Sequence, residues 1–136
     1  VNVRLLLDTQ ALLWWLDGDR RLSLKARRAI ASESNSILVS AASAWEEITT
    51  KARLGKLPGA TDVAADVAAC VASQGFLPLD ITMLHAQRAG RLTGTHRDPF
   101  DRMLIAQSQI EDIAPVSDDE AFATIAPWSP LTREPR

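Results

Sequence analysis

The chain holds a single cysteine, Cys70, among its 136 residues. One cysteine excludes an intrachain disulfide and any zinc cluster built on thiolates, and it fits a reducing cytoplasm. Cys70 lies in the run VAADVAACVAS and is expected as a small core residue. No apolar run approaches the roughly 20 residues that a membrane span requires. The apolar stretch of VNVRLLLDT is cut off by Asp8, which argues against a signal peptide. Charge of neither sign dominates: 15 basic and 17 acidic side chains leave a net charge of −2. That balance excludes a strongly basic nucleic-acid-binding chain but leaves local patches open. The two histidines, His85 and His96, stand at no metal-ligand spacing and are expected as ordinary surface or partly buried residues. A Gly-rich phosphate loop and a Gly-x-Ser-x-Gly elbow are both missing, so neither of those two chemistries is available.

What is present is globular: 46% hydrophobic and 24% charged residues. The length suits one domain with a real core, expected over residues 1–130, with 131–136 as a short frayed tail. Short apolar runs alternate with helical patterns. Val3–Leu7 reads as a buried strand ending at Asp8, and TQALLWWLDGD as a helix that breaks at Gly18. Ser23 caps the basic helix SLKARRAIAS, and Ser36–Val39 is a second buried strand, ending at Ser40. AASAWEEITTKARLGK reads as a helix stopped by Gly55, and Pro58-Gly59 as a turn. Asp62–Ser73 is expected as one Ala/Val-rich helix, Phe76–Leu79 as a strand ended by Asp80, and Thr82–Arg91 as a helix capped by Thr82. A long helix is expected from Pro99 to about Glu111. Beyond it come a strand over Ile113–Ser117 and a helical turn through Phe122. Alternation of this kind predicts an α/β fold: a three-layer α/β/α sandwich around a mostly parallel sheet.

Acids mark the ends of these strands. Asp8 closes the first, Glu46 comes one or two helical turns after the second, and Asp119 follows the last. Asp98 and Asp101 open the long helix in HRDPFDR. Each has a local explanation, since Asp is a preferred N-cap and Pro99 suits a first helical position. If the strands are parallel, however, all these carboxylates gather at the carboxyl end of one sheet, where open α/β folds bind ligands. Clustered carboxylates oppose folding unless a positive charge neutralises them. A hard divalent cation such as Mg²⁺ prefers such oxygen ligands, and two such ions suit attack of water on a phosphodiester.

The blocks LLLDTQALLWWL, ILVSAASAWEEITTKARLGKLP, RDPFDRMLIAQSQ and PVSDDEAF, in order from about Leu5 to Trp128, resemble the signature blocks of PIN-domain ribonucleases. More narrowly, they resemble the VapC-type toxins of bacterial toxin–antitoxin pairs. The resemblance implies a PIN-like fold and a Mg²⁺- or Mn²⁺-dependent endoribonuclease in the bacterial cytoplasm. It implies Asp8, Glu46, Asp101 and Asp119 as catalytic metal ligands, with Thr9 as the adjacent hydroxyl and Asp98 as a neighbouring acid that binds metal directly or through water. It also implies a homodimer and a cognate VapB-like antitoxin whose side chain, often Arg, enters the acidic site. One departure stands out. WEEITTK is one residue longer than the family pattern, so counting from Trp45 selects Glu46 and counting back from Lys51 selects Glu47. On a regular helix the two point about 100° apart. The strand before it favours Glu46, and a helix bulge could absorb the extra residue.

An RNA substrate needs positive charge near the acids. Candidates are Arg97 and Arg102, then Lys51, Arg53 and Lys56, and the run Arg20, Arg21, Lys25, Arg27 and Arg28, which also reads as a solvated helix face. Trp14, Trp15 and Leu16 read either as core or as a dimer or antitoxin surface. Two rival functions stand beside the nuclease. A Mg²⁺-dependent phosphatase or phosphotransfer domain would use Asp8 as nucleophile, but it usually carries a second Asp where Gln10 stands. The other rival is a non-catalytic PIN-like binding module.

Overall fold

The protein is described here from a computed structural model, over residues 3–55, 61–93 and 98–116; the side chains of Glu46, Glu47 and Thr61 lie outside that description. The expected Pro58-Gly59 turn, His96, Arg97, Asp119, the turn through Phe122 and the tail all fall outside the described residues.

Among the described residues, four short strands form one parallel sheet in the order β3-β2-β1-β4: β1 Arg4–Leu7, β2 Ser36–Ser40, β3 Leu77–Leu79 and β4 Ala114–Val116. Leu5 pairs with Ile37 on one side and Ala114 on the other, so β1 sits between β2 and β4. Both edges of the described sheet carry a proline, Pro78 in β3 and Pro115 in β4, as expected where no ladder N–H is required.

Parallel strands need crossovers, and helices supply them. α1 Thr9–Asp17 and α2 Leu24–Ala31 connect β1 to β2. A π-helix, Ser43–Thr50, runs into the short α3 Lys51–Arg53; α4 Thr61–Ala65 and α5 Val67–Ser73 follow before β3. α6 Met83–Arg91 and α7 Pro99–Glu111 then carry the chain back across the sheet to β4. A crossover of the same hand running in the opposite direction lays its helices on the opposite face. The side chains agree. Leu5, Leu7, Ile37, Val39, Ala114 and Val116 pack with α1, α2, Ile48 and α5 in one core. Leu6 and Leu38, which alternate with them, pack with Leu104, Ile105 and Ile113 in the other. The three-layer α/β/α sandwich expected from the sequence is the fold observed.

Local chemistry explains the element ends. Gly18 stops α1 in a left-handed conformation (φ 65°) and donates to the carbonyls of Trp14 and Trp15. Ser23 and Thr82 cap their helices as expected. The predicted single helix over Asp62–Ser73 is instead broken at Asp66, whose φ is −155°. Its carboxylate accepts from the Ala69 N–H at 3.0 Å and starts α5 afresh, the competition with the helix backbone that disfavours Asp in mid-helix. Cys70 is half-buried and lies beside the true core positions Val67 and Val71. His85 is far from a surface residue, being 1% exposed. Its Nδ1 accepts from the Thr82 N–H at 3.0 Å, completing a capping box, and its Nε2 lies 2.9 Å from Glu111. Trp14 is core, with the Arg21 guanidinium over its ring, while Trp15 is half-buried against Phe76. The basic run is partly committed locally: Arg21 pairs with Asp19 at 2.7 Å and holds its carboxyl down at about 2, and Arg27 donates to the Asp19 carbonyl.

Arg102 departs most from expectation. Its guanidinium donates to the carbonyls of Ala89 (2.8 Å) and Leu92 (2.6 Å), closing the carboxyl end of α6 rather than facing a substrate. Arg102→Ala is therefore expected to lower unfolding free energy by about 1–3 kcal/mol, the cost of leaving such carbonyls unpaired. Urea denaturation would measure this, and wild-type stability in the variant would refute the capping role.

Candidate functional site

The sheet reverses its winding between β1 and β4, and ligands of open α/β sheets bind at such a switch point. Asp8 stands there. Its backbone N–H donates to the Val116 carbonyl at 3.2 Å, so the residue after β1 is still tied to β4. Its side chain caps α1 by accepting from the Ala11 N–H at 2.7 Å. β2 ends nearby at Ser40, whose hydroxyl accepts from the Ala42 N–H at 3.1 Å and starts the turn into the π-helix.

A cavity of about 110 Å³ opens at this point, lined by Asp8, Thr9, Gln10, Leu13, Ala42, Ser43, Lys51, Phe100, Asp101 and Leu104. That is room for several waters. The lining shows why the site forms. Thr9 and Gln10 lie in the first turn of α1, Ala42 and Ser43 at the start of the π-helix, and Phe100 and Asp101 in the first turn of α7. Three helix N-termini thus converge on one small volume, and their dipoles favour negative charge there.

The structure brings together two of the five acids expected from the sequence, Asp8 and Asp101. Asp98 does not line the cavity. It is the N-cap of α7, accepting from the N–H groups of Phe100 (2.9 Å) and Asp101 (3.3 Å), and Pro99 follows it at the first helical position. The backbone of Glu46 lies within the π-helix, while its side chain and all of Asp119 lie outside the described residues. Among the described residues no three histidines, cysteines or acids come close enough together to hold a metal ion.

Two further polar groups face the same volume. Thr9 is 8% exposed and Ser43 1%, and neither hydroxyl has a hydrogen-bond partner among the described residues. Buried polar atoms are normally paired, and orphans mark sites that an ion, water or ligand completes. Two carboxylates and two orphan hydroxyls are hard oxygen donors, which is the donor set a divalent cation such as Mg²⁺ takes. Thr9 was expected beside Asp8; Ser43 was not. Its only signal in the sequence is a small polar residue at the helix start, two positions before Trp45. At the rim, Trp45 is 64% exposed and packs edge-on against Phe100, with centroids 5.5 Å apart.

Comparison with known proteins accords with this geometry. Among solved structures, the chain resembles one from the crystal structure of VapBC2 from Rickettsia felis bound to a DNA fragment from their promoter. The TM-score is 0.67 at 13% identity, covering 93% of this chain and 96% of that one. It also resembles VapC20 of Mycobacterium tuberculosis, a Sarcin-Ricin loop cleaving toxin, with a TM-score of 0.64 at 20% identity, covering 88% and 93%. At these identities the likeness establishes the fold. No curated protein matches the chain in sequence. No helix among the described residues is long and apolar enough to cross a membrane. The PIN domain matches residues 5–126, which takes in the described sheet from Leu5 onward and every residue lining the cavity; the chain belongs to the PIN-domain family.

Proposed function

We propose that this chain is a divalent-metal-dependent endoribonuclease, the toxin of a VapBC-type toxin–antitoxin pair. One observation carries the reading: Asp8 and Asp101, 93 residues apart in the numbering, line one small cavity at the switch point of the sheet. Carboxylates brought together with neighbouring hydroxyls at the carboxyl end of a parallel sheet form the hard oxygen donor set that a divalent cation takes. Asp8 and Asp101 would hold Mg²⁺, or Mn²⁺ in its place, together with the carboxylates of Glu46 and Asp119. When bound, such a cation supplies Lewis-acid chemistry, neutralising phosphate charge and making water acidic. The chain's own residues do the rest. Leu13, Leu104 and Phe100 give the cavity apolar walls, which strengthen every charge interaction inside. Asp98 fixes the start of α7 and so the direction from which Asp101 enters, and it would assist the cation directly or through water. Cleavage by water leaves no covalent protein intermediate.

The same site suits a VapB-like antitoxin, because a carboxylate pair in an apolar-walled pocket is a natural receptor for a guanidinium. The remaining parts of the reading are a homodimer, a heteromer with that antitoxin, a structured RNA substrate and a bacterial cytoplasmic location. They rest on the VapC-like sequence blocks and on the toxin relatives with the same fold.

Asp8→Asn and Asp101→Asn are expected to lower RNA cleavage by about 100- to 1,000-fold, losses of the size seen when a charge-stabilising group is removed from an active site. Asn caps helices as well as Asp does, so the Asp8 variant should melt like the wild type. Sequencing RNA fragment ends after brief induction reads both the activity and the cut site; full activity in Asp8→Asn would sink the assignment. Trp45 ties the N-terminal half of the π-helix to α7 through Phe100, and this favours Glu46 over Glu47 as the site glutamate. Glu46→Gln should therefore match Asp8→Asn while Glu47→Gln cleaves within a few-fold of wild type, and the reverse order would overturn the assignment. Asp98→Ala should cost about 1 kcal/mol of stability through the lost cap, measured by denaturant titration, whereas Asp98→Asn should keep that stability and cleave better than Asp101→Asn.

A further inference from the structure

The cavity lining combines two chemistries: the acids Asp8 and Asp101, and the hydroxyl- and ammonium-bearing residues Ser43 and Lys51. Ser43 and Lys51 are the first residue of the π-helix and the first of α3. The Ser43 hydroxyl is a directional donor, fully buried and without a partner among the described residues. Lys51 lines the same cavity and brings a basic side chain to it. Their spacing makes this placement selective. Eight residues along a regular α-helix leave two side chains about 80° apart, whereas seven leave them about 20° apart. The wider turn of the π-helix takes up one residue, so both ends of the segment face the cavity.

We propose that Ser43 and Lys51 form an anion subsite that holds a non-bridging oxygen of the scissile phosphodiester beside the cation. The inference rests on the nuclease reading and deepens it. A phosphodiester carries a negative charge and must approach two carboxylates. A cation cancels part of that repulsion, and a neighbouring ammonium and hydroxyl add donors for the phosphate oxygens. Thr9, next to Asp8 in the chain, also lines the cavity, and its hydroxyl has no hydrogen-bond partner among the described residues.

The arrangement makes a prediction of opposite signs. Lys51 repels an incoming divalent cation yet attracts the phosphate. Lys51→Met should bind Mn²⁺ more tightly, by up to about tenfold, the repulsion between a unit charge and a divalent ion about 6 Å apart in a water-like medium. The same variant should cleave RNA about 100-fold more slowly. Ser43→Ala should leave Mn²⁺ affinity unchanged and slow cleavage about tenfold. The experiment is calorimetric titration of Mn²⁺ alone, together with Mg²⁺-dependent cleavage of a mixture of ribosomal and transfer RNA, on the wild type, both variants and Asp8→Asn. Ser43→Ala removes one buried oxygen and little volume, so it carries the test should Lys51→Met fail to fold. Wild-type cleavage by either variant, or loss of Mn²⁺ affinity together with cleavage in Lys51→Met, would overturn the subsite while Asp8→Asn remains inactive. Absence of any Mg²⁺-dependent cleavage by the wild type would overturn the nuclease reading and this inference with it.

Discussion

Parallel pairing on both sides of β1 is the constraint on which the rest depends. Parallel neighbours cannot be joined by hairpins, so each connection has to be a helical crossover. With β2 on one side and β4 on the other, the crossovers run in opposite directions and cover opposite faces. The carboxyl end of β1 is then the place where helices from both layers begin. Asp8 is held there twice, through its backbone to the Val116 carbonyl and through its side chain to the start of α1. A residue fixed from two directions cannot relax away from a neighbouring charge, which is what a preorganised site demands.

The convergence carries a cost that the fold offsets locally. Carboxylates drawn into one cavity repel, and the hydroxyls of Thr9 and Ser43 find no hydrogen-bond partner among the described residues. Helix N-termini counter part of the repulsion, each favouring a negative group in its first turn. α1 presents its start to Asp8, and α7 carries Asp101 in its first turn. Stability comes from elsewhere, from the two cores on the two faces of the sheet. There Leu5, Leu7 and Ile48 on one side and Leu6, Ile105 and Ile113 on the other are almost completely buried. Leu104 belongs to both the cavity wall and the second core, whereas the acids Asp8 and Asp101 lie outside both cores, so an Asp-to-Asn exchange there need not loosen the layers.

Elements whose residues obey one dominant rule were legible in the sequence. The apolar runs of β1 and β2, the Gly18 stop, the Ser23 and Thr82 caps and the Asp98–Pro99 helix start each follow from local chemistry, and each is observed. Residues whose role depends on a distant partner were not. Arg102 reads as a flanking positive charge, yet α6 places its carbonyls within reach and the guanidinium turns to them. His85 reads as ordinary, yet the packing of α6 on α7 buries it between Thr82 and Glu111. Asp66 is a further kind of miss: an Ala/Val-rich window predicts a continuous helix, and one side chain able to cap its own backbone divides it. For the site, the acid spacing was enough to put Asp8 and Asp101 together, whereas Ser43 carries no signature a sequence could offer beyond its proximity to Trp45.

The π-helix shows how strongly the cavity governs its surroundings. An extra residue in an ordinary helix rotates everything beyond it by about 100°. Here the segment is anchored at three points: Trp45 on Phe100, Ile48 fully inside the core, and Lys51 at the cavity. Rotation at any one of them would expose an apolar side chain or withdraw a charge from the site. The backbone widens instead, and such widened turns recur at functional sites for this reason. Side chains support the strained stretch: the hydroxyls of Thr49 and Thr50 both donate to the Trp45 carbonyl, at 2.6 and 2.9 Å. Two adjacent threonines are poor choices for a regular helix, where their branched side chains crowd the preceding turn. In a widened turn they become the residues that hold it, so the same WEEITTK stretch that departs from the family's spacing also contains the chemistry that makes the departure tolerable.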